Sequence, residues 1–343
     1  MPELVLDVFE GDAFSFVSLT DSINNLPFTP GRLGEMGLFS ESGIVTIDIE
    51  LEYRDGYLSL ISPTERGGPG ETRPKLPRGA RKLVTSHFQI DDTIKAEEVQ
   101  GVREFGTPTQ MRTVESYLAS RMGEVTPNFD ATLEHQRVGA LKGIITDKNS
   151  NVVYDLYSEF GISKPADVKL DLSPTAKLRP QLAKVARDMA RSLGGISMRG
   201  IGALVGDDMW DSLITHPDVE KTYMFQAGAV LRQGIEYRQL DFGDIFWENY
   251  KGYVPKNDGT GNVTPFIDTN AAQLYPMGVP NFFRTVFGPA DYLETVNTVG
   301  LPRYAKFIPF RNNKGGSLEM QTNPLSYCTR PGVLRKMVAQ GIG

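Results

Sequence analysis

The chain has 343 residues, 40% of them hydrophobic and 23% charged, a composition that folds and excludes disorder over most of its length. A formal net charge of -6 leaves no surplus of Lys and Arg to neutralise many phosphates, which excludes a dedicated nucleic-acid clamp. At this length a single hydrophobic core stops growing, so two or more compact regions with extended segments are expected.

Cys328 is the only cysteine; no intrachain disulfide can form, and the chain reads as made in a reducing cytosol. The first twenty residues mix Asp7, Glu10 and Asp12 with apolar residues and lack the basic start and apolar run of a signal peptide. No window approaches the roughly 20 apolar residues needed to span a bilayer. A soluble, non-exported protein is expected.

In chain order, residues 1–43 crowd the turn formers Asn24, Asn25, Pro27, Pro30, Gly31, Gly34 and Gly37, too close together for a long regular element, and read as an extended arm. Residues 44–53 alternate and are β-branched, Asp55-Gly56 marks a hairpin turn, and 57–61 continue as a strand. The stretch 66–82 holds four Gly, three Pro and six basic residues against one Glu. It predicts a mobile cationic loop, followed by a returning strand at 84–90.

From Asp91 the pattern reads as helical, with Asp91, Asp92, Glu97 and Glu98 near the positive helix end and Ile94, Val102 and Phe105 on an apolar side. Met111, Val114, Leu118 and Met122, then Leu133, Ala140 and Leu141 beyond Pro127, predict a long interrupted spine helix. A strand is expected at 151–156. Leu178, Leu182, Val185, Met189 and Leu193 predict a helix over 177–193, with Pro180 in its first turn and Gly194-Gly195 at its end. Residues 200–206 then read as a buried strand leading into a short helix at 207–214, and alternation returns at 317–321.

No chemical constellation gathers. Gly200, Gly202 and Gly206 follow a helix and lie within the apolar stretch, which favours close strand packing over a dinucleotide turn. His87, His135 and His216 stand in different elements without metal-ligand spacing. Asp207, Asp208 and Asp211 suit a helix start better than a metal cluster. No serine elbow occurs, and nothing around Cys328 suggests an activated thiolate. No catalytic, metal or cofactor residue is therefore assigned. The basic stretch lacks aromatics for stacking on bases. It reads instead as a loop seeking an acidic neighbour, so Arg66, Arg73, Lys75, Arg78, Arg81 and Lys82, with Asp91, Asp92, Glu97 and Glu98, are the candidate inter-subunit contacts.

Taken together, these residues resemble the phage major capsid protein E family, the lambda-type head proteins. The resemblance rests on Phe14, Leu19-Thr20 and Ile23-Asn24; Gly37-Leu38-Phe39; the Pro/Gly/Arg loop; Leu133-Glu134-His135-Gln136-Arg137 with Ala140-Leu141-Lys142-Gly143; Gly206-Asp207-Asp208 and His216-Pro217; and 317–331, all in one order. It implies an α+β, HK97-like shell fold: an N-terminal arm at 1–43, an extended loop at 44–90, a peripheral domain at 91–155 plus 305–343, and an axial domain at 156–304.

The implied function is a major head protein of a tailed bacteriophage, found in the virion and assembled in the host cytoplasm. It joins copies of itself into hexamers and pentamers of an icosahedral shell around double-stranded DNA. No enzyme activity, cofactor or membrane is implied. Further implied partners are a decoration or cement protein, a scaffold, a portal, and packaged DNA touched non-specifically on the inner face. Some related shells weld subunits by a Lys–Asn isopeptide bond; no such pair is identified here, so noncovalent closure is expected. The alternatives are an encapsulin-like nanocompartment shell and a nucleotide-dependent enzyme using 200–206. DNA inside purified particles would separate the capsid from the first, and tight nucleotide binding by a small, non-assembling particle would favour the second.

Overall fold

The computed structural model describes residues 15–26, 31–53, 79–99, 114–225, 239–255, 263–312 and 314–341. The Asp55-Gly56 turn, the strand at 57–61 and most of the cationic stretch lie outside these. The chain divides into two compact units: Met1–Ile49 with Lys82–Gln136 and Thr285–Ser326, and Glu50–Arg81 with Arg137–Arg284 and Tyr327–Gly343.

In the first unit, the strands Tyr304–Pro309, Gly315–Thr322 and Phe88–Lys95 form an antiparallel sheet in that order. One face is apolar. Ile94, Phe307, Leu318 and Met320 pack there with Leu118, Met122 and Phe129 of the helix Val114–Lys142, and with Leu19 and Ile23 of the helix Phe16–Asn25. Each such side chain contributes about 1.5–3 kcal/mol when fully buried. Leu118, Met122 and Phe129 recur at helical spacing, so one stripe of the 29-residue spine helix is buried.

The second unit is built on a six-stranded mixed sheet. Its order is Val168–Asp171, Arg335–Gln340, Ala271–Met277, Gly200–Val205, Ile245–Asn249, Gln239–Phe242. Gly200–Val205 runs parallel to Ile245–Asn249 and antiparallel to Ala271–Met277, and Ile201 and Ala203–Val205 are buried. Glycine is required at position 202 because a Cβ there would stand 2.2 Å from the Tyr275 ring. At Gly206 it would stand 2.2 Å from the Asp268 carbonyl oxygen. Close packing accounts for both, as the sequence suggested.

The helix Leu178–Ser192 buries Leu178, Leu182, Val185 and Met189, holds Pro180 in its first turn, and stops where Gly194 and Gly195 take φ of 65° and 95°. The strand Val152–Asp155 and the helix Asp207–Ile214 also stand where the residue pattern placed them.

Four expectations are corrected. Asp91 and Asp92 lie in the strand Phe88–Lys95, not in a helix; only Ala96–Val99 makes a helical turn. Phe88, Ile90 and Ile94 do alternate, but Asp92 occupies an inward position and hides the pattern. Its charge is met there by Arg121 at 3.2 Å.

The spine helix is continuous through Pro127. Pro127 has no N–H for the Gly123 carbonyl, yet both residues are exposed, so water can serve that group. One residue earlier, the Thr126 hydroxyl donates to the Met122 carbonyl at 2.8 Å.

The arm contains a regular helix, Phe16–Asn25, capped where Ser15 Oγ accepts from the Ser18 N–H at 3.2 Å. Finally, 84–90 is not one strand. Gly79–Val84 pairs with Asp48–Tyr53 and a second strand starts at Phe88, so the last four residues of 66–82 belong to a ladder rather than a loop.

Candidate subunit-contact surface

The apolar side chains of Phe88–Lys95 face the core, so its odd-numbered residues Gln89, Asp91, Thr93 and Lys95 are displayed on the outer face of the first unit's sheet. Across the ladder, Asp91 stands directly opposite Glu319, and Glu319 opposite Lys306. Gln321 donates to Gln89 at 2.9 Å, and Gln89 Nε2 donates to Asp91 at 2.7 Å. Like charges placed directly across a ladder are destabilising. The obvious cation is engaged elsewhere: Lys306 Nζ pairs with Glu294 at 2.7 Å and lies 4.7 Å from the Tyr292 ring centroid.

Tyr292 covers part of this face, and its hydroxyl donates to Glu319 at 3.1 Å. Burial, and then the carboxylates of Glu319 and Asp91, push that phenol above its ordinary value. Glu294 is held below the usual carboxylate range by its hydrogen bond from Lys306. The face is therefore acidic, with Asp91, Asp291, Glu294 and Glu319 outnumbering the two lysines, Lys95 and Lys306.

The same strand is an edge. Ala96 N–H donates to the Lys314 carbonyl, so the groups exchanged with Gly315–Thr322 fall on even-numbered residues, and Gln89, Asp91 and Thr93 direct theirs outward. Among the described residues no strand pairs there.

The sequence-predicted contacts divide on this surface. Asp91 stands on the outer face. Asp92 points inward to Arg121. Glu97 pairs with Lys95 at 3.6 Å, and Glu98 accepts from the Tyr117 hydroxyl at 3.1 Å and the Lys95 N–H at 3.4 Å. Lys82 pairs with Asp48 at 3.2 Å, within its own ladder. Arg81 lies in the same strand, and Arg66, Arg73, Lys75 and Arg78 fall outside the described residues. Glu319 and Glu294 were not anticipated: both are more than 200 residues from Asp91, and strand pairing brings in Glu319 while the ion pair with Lys306 brings in Glu294.

Nothing among the described residues competes with this surface as a chemical site. No group of three or more potential metal-ligating side chains occurs there, and no helix is long and apolar enough to cross a membrane. Asp207 accepts from Asn249 at 2.8 Å and from the Tyr253 hydroxyl at 3.2 Å. Cys328 is fully buried, and burial pushes its thiol up.

A long spine helix over an antiparallel sheet in one unit, and a mixed sheet in the other, are the parts of the HK97-like capsid shell fold. A prophage capsid protein from Escherichia coli CFT073 superposes with a TM-score of 0.57 at 12% identity, over 93% of this chain and 97% of that one. A phage-related protein from Bordetella bronchiseptica RB50 does so with a TM-score of 0.50 at 11% identity, over 93% and 95%.

The family model described as phage major capsid protein E matches residues 15–339, and the chain belongs to that family. It is 24% identical over 366 residues to the major capsid protein of Salmonella phage Felix O1 (isolate Felix O1-VT1), covering 97% of this chain and 98% of the relative. It is 25% identical over 344 residues to that of Pseudomonas phage KPP10, covering 94% and 96%. Its function is that of a phage major capsid protein, a structural component of the virion.

Proposed function

We propose that copies of this chain join head to tail into the hexamers and pentamers of an icosahedral shell around double-stranded DNA, and that the acidic outer face receives the cationic stretch 66–82 of a neighbouring copy. The observation that carries this reading is the Asp91–Glu319 pair beside a strand edge that no other described strand pairs, in a chain whose own sequence supplies six basic residues against one Glu over 66–82. Head-to-tail contacts are heterologous and close into rings when their rotation allows. Single exposed ion pairs contribute about 0–1 kcal/mol, so the shell is held by many repeated weak contacts that can reverse and correct during growth.

In this reading 1–43 is the arm, 44–90 the extended loop, 91–155 with 305–343 the peripheral domain, and 156–304 the axial domain. Arg66, Arg73, Lys75 and Arg78 are the reaching cations. Asp91 is the principal acceptor, while Asp92, Glu97 and Glu98 act through the field they add. Assembly takes place in the host cytoplasm around scaffold and portal. A cement protein reinforces the noncovalent shell, and the inner face touches packaged DNA without sequence preference.

Deleting 66–78, which spares the strand Gly79–Val84, tests the assignment. A chain that keeps its thermal transition but forms no shells is expected. Shells in normal yield from the deleted chain would end this role for the segment.

A further inference from the structure

Between the strands Phe283–Phe287 and Tyr304–Pro309, residues 291–301 carry an unusual display: Leu293 is 91% exposed, Val296 61% and Val299 59%. The backbone beneath them is firmly tied. Thr295 is buried, and its hydroxyl donates to the Ala290 carbonyl at 2.6 Å. Thr298 N–H donates to the Thr295 carbonyl, Gly300 N–H to the Ile44 carbonyl at 2.8 Å, and Leu301 N–H to the Tyr304 hydroxyl at 2.8 Å. Glu294 is anchored to Lys306. At the far end a Cβ on Gly43 would stand 2.1 Å from the Gly300 carbonyl oxygen, and exposed Val45 and Ile47 follow Gly43 in the chain.

We propose that this rigid knob is a contact surface for a second copy of the chain; the inference rests on the self-assembly reading and adds an apolar contact to it. Water gains nothing from an ordered apolar display, and ordering it beforehand removes an entropic cost of docking. The exposed apolar area is on the order of several hundred Å², the range that marks interaction sites on soluble proteins. It is a substantial share of the about 800 Å² per partner that a stable interface uses.

Charge selects the occupant. The knob borders the acidic face, with Asp291 and Glu294 in the loop and Glu319 bonded to Tyr292. The same polypeptide carries the complementary cations at 66–82. A second copy therefore brings a charge match that a neutral or acidic partner lacks.

The test uses Leu293→Cys in the full chain, whose natural thiol at Cys328 is buried. A maleimide should label position 293 readily in dissociated subunits and about tenfold or more slowly in shells, as expected for a contact from which water is excluded. Mixing the variant with excess unmodified chain gives the same readout if the variant alone assembles poorly. In parallel, Leu293→Asp with Val296→Asp should keep the thermal transition and lose most shell yield. Equal labelling in shells and subunits, or protection that needs a host protein or lipid vesicles, overturns this inference and leaves self-assembly standing. Failure of the unmodified chain to form particles removes the self-assembly reading itself.

Discussion

The carboxamide of Asn24 holds both backbone groups of Arg303: Nδ2 donates to the Arg303 carbonyl at 2.8 Å, and Oδ1 accepts from the Arg303 N–H at 3.2 Å. Four residues earlier in the helix, the Thr20 hydroxyl does the same for Ala305, with both contacts at 3.4 Å. These are the outward groups of an edge strand, and one helix face stands in for the missing neighbour. Unpaired edges invite pairing with other chains, so the helix both stabilises its unit and closes one of its two sheet edges.

Asn24→Leu should cost about 1–3 kcal/mol, because it strands two buried backbone groups at once. Thermal unfolding would register the loss. Thr20→Val together with Asn24→Leu should also increase aggregation of the unassembled chain, read by light scattering. An unchanged transition would mean the helix holds by its apolar face alone.

Arg303 has a second task. Its guanidinium reaches the Ile23 carbonyl at 3.3 Å, at the helix C-terminal end, and pairs with the buried Asp130 of the spine helix. Arg303→Met should destabilise by about 3–5 kcal/mol, since it leaves a carboxylate buried without its cation. Adding Asp130→Leu should recover most of that loss in denaturant unfolding. Equal transitions for single and double variants would show that the two residues do not act as a pair.

Alkaline pH should weaken the fold. Tyr157, Tyr292, Tyr304 and Tyr327 all have phenols pushed above the ordinary value of 10.0, with burial the first cause in each. A group whose pKa is higher folded than unfolded contributes stability that is intact below the unfolded value and lost as pH rises through the folded one. The melting temperature should therefore stay level on this account up to pH about 10 and fall beyond it. A flat profile to higher pH would contradict the burial of these hydroxyls.

Asp91→Lys should act in opposite directions on folding and on assembly. Replacing the like-charge pair with Glu319 by an attractive one should stabilise the monomer by about 0.2–1 kcal/mol. Shell yield should fall, and in the unmodified chain assembly should weaken with added salt. A variant that assembles normally, or assembly indifferent to salt, would remove charge pairing from the contact.

Much of the fold was legible because its signals are local. Leu178, Leu182, Val185 and Met189 announce their helix, and Gly202 is small because Tyr275 leans on it. The strand Phe88–Lys95 was misread because Asp92 breaks the alternation at an inward position, and the residue that permits it, Arg121, lies in another element. The helix Phe16–Asn25 escaped notice for a related reason. Asn24 reads as a turn former until the backbone it bonds, 279 residues on, is known. The acidic face was half visible: Asp91 is one of four carboxylates named from the sequence, whereas Glu319 joins it only through register.

Electron microscopy of the purified, expressed chain tests the central claim most directly. Closed icosahedral shells are the predicted result. A population of single subunits at every protein and salt concentration tried would contradict the account.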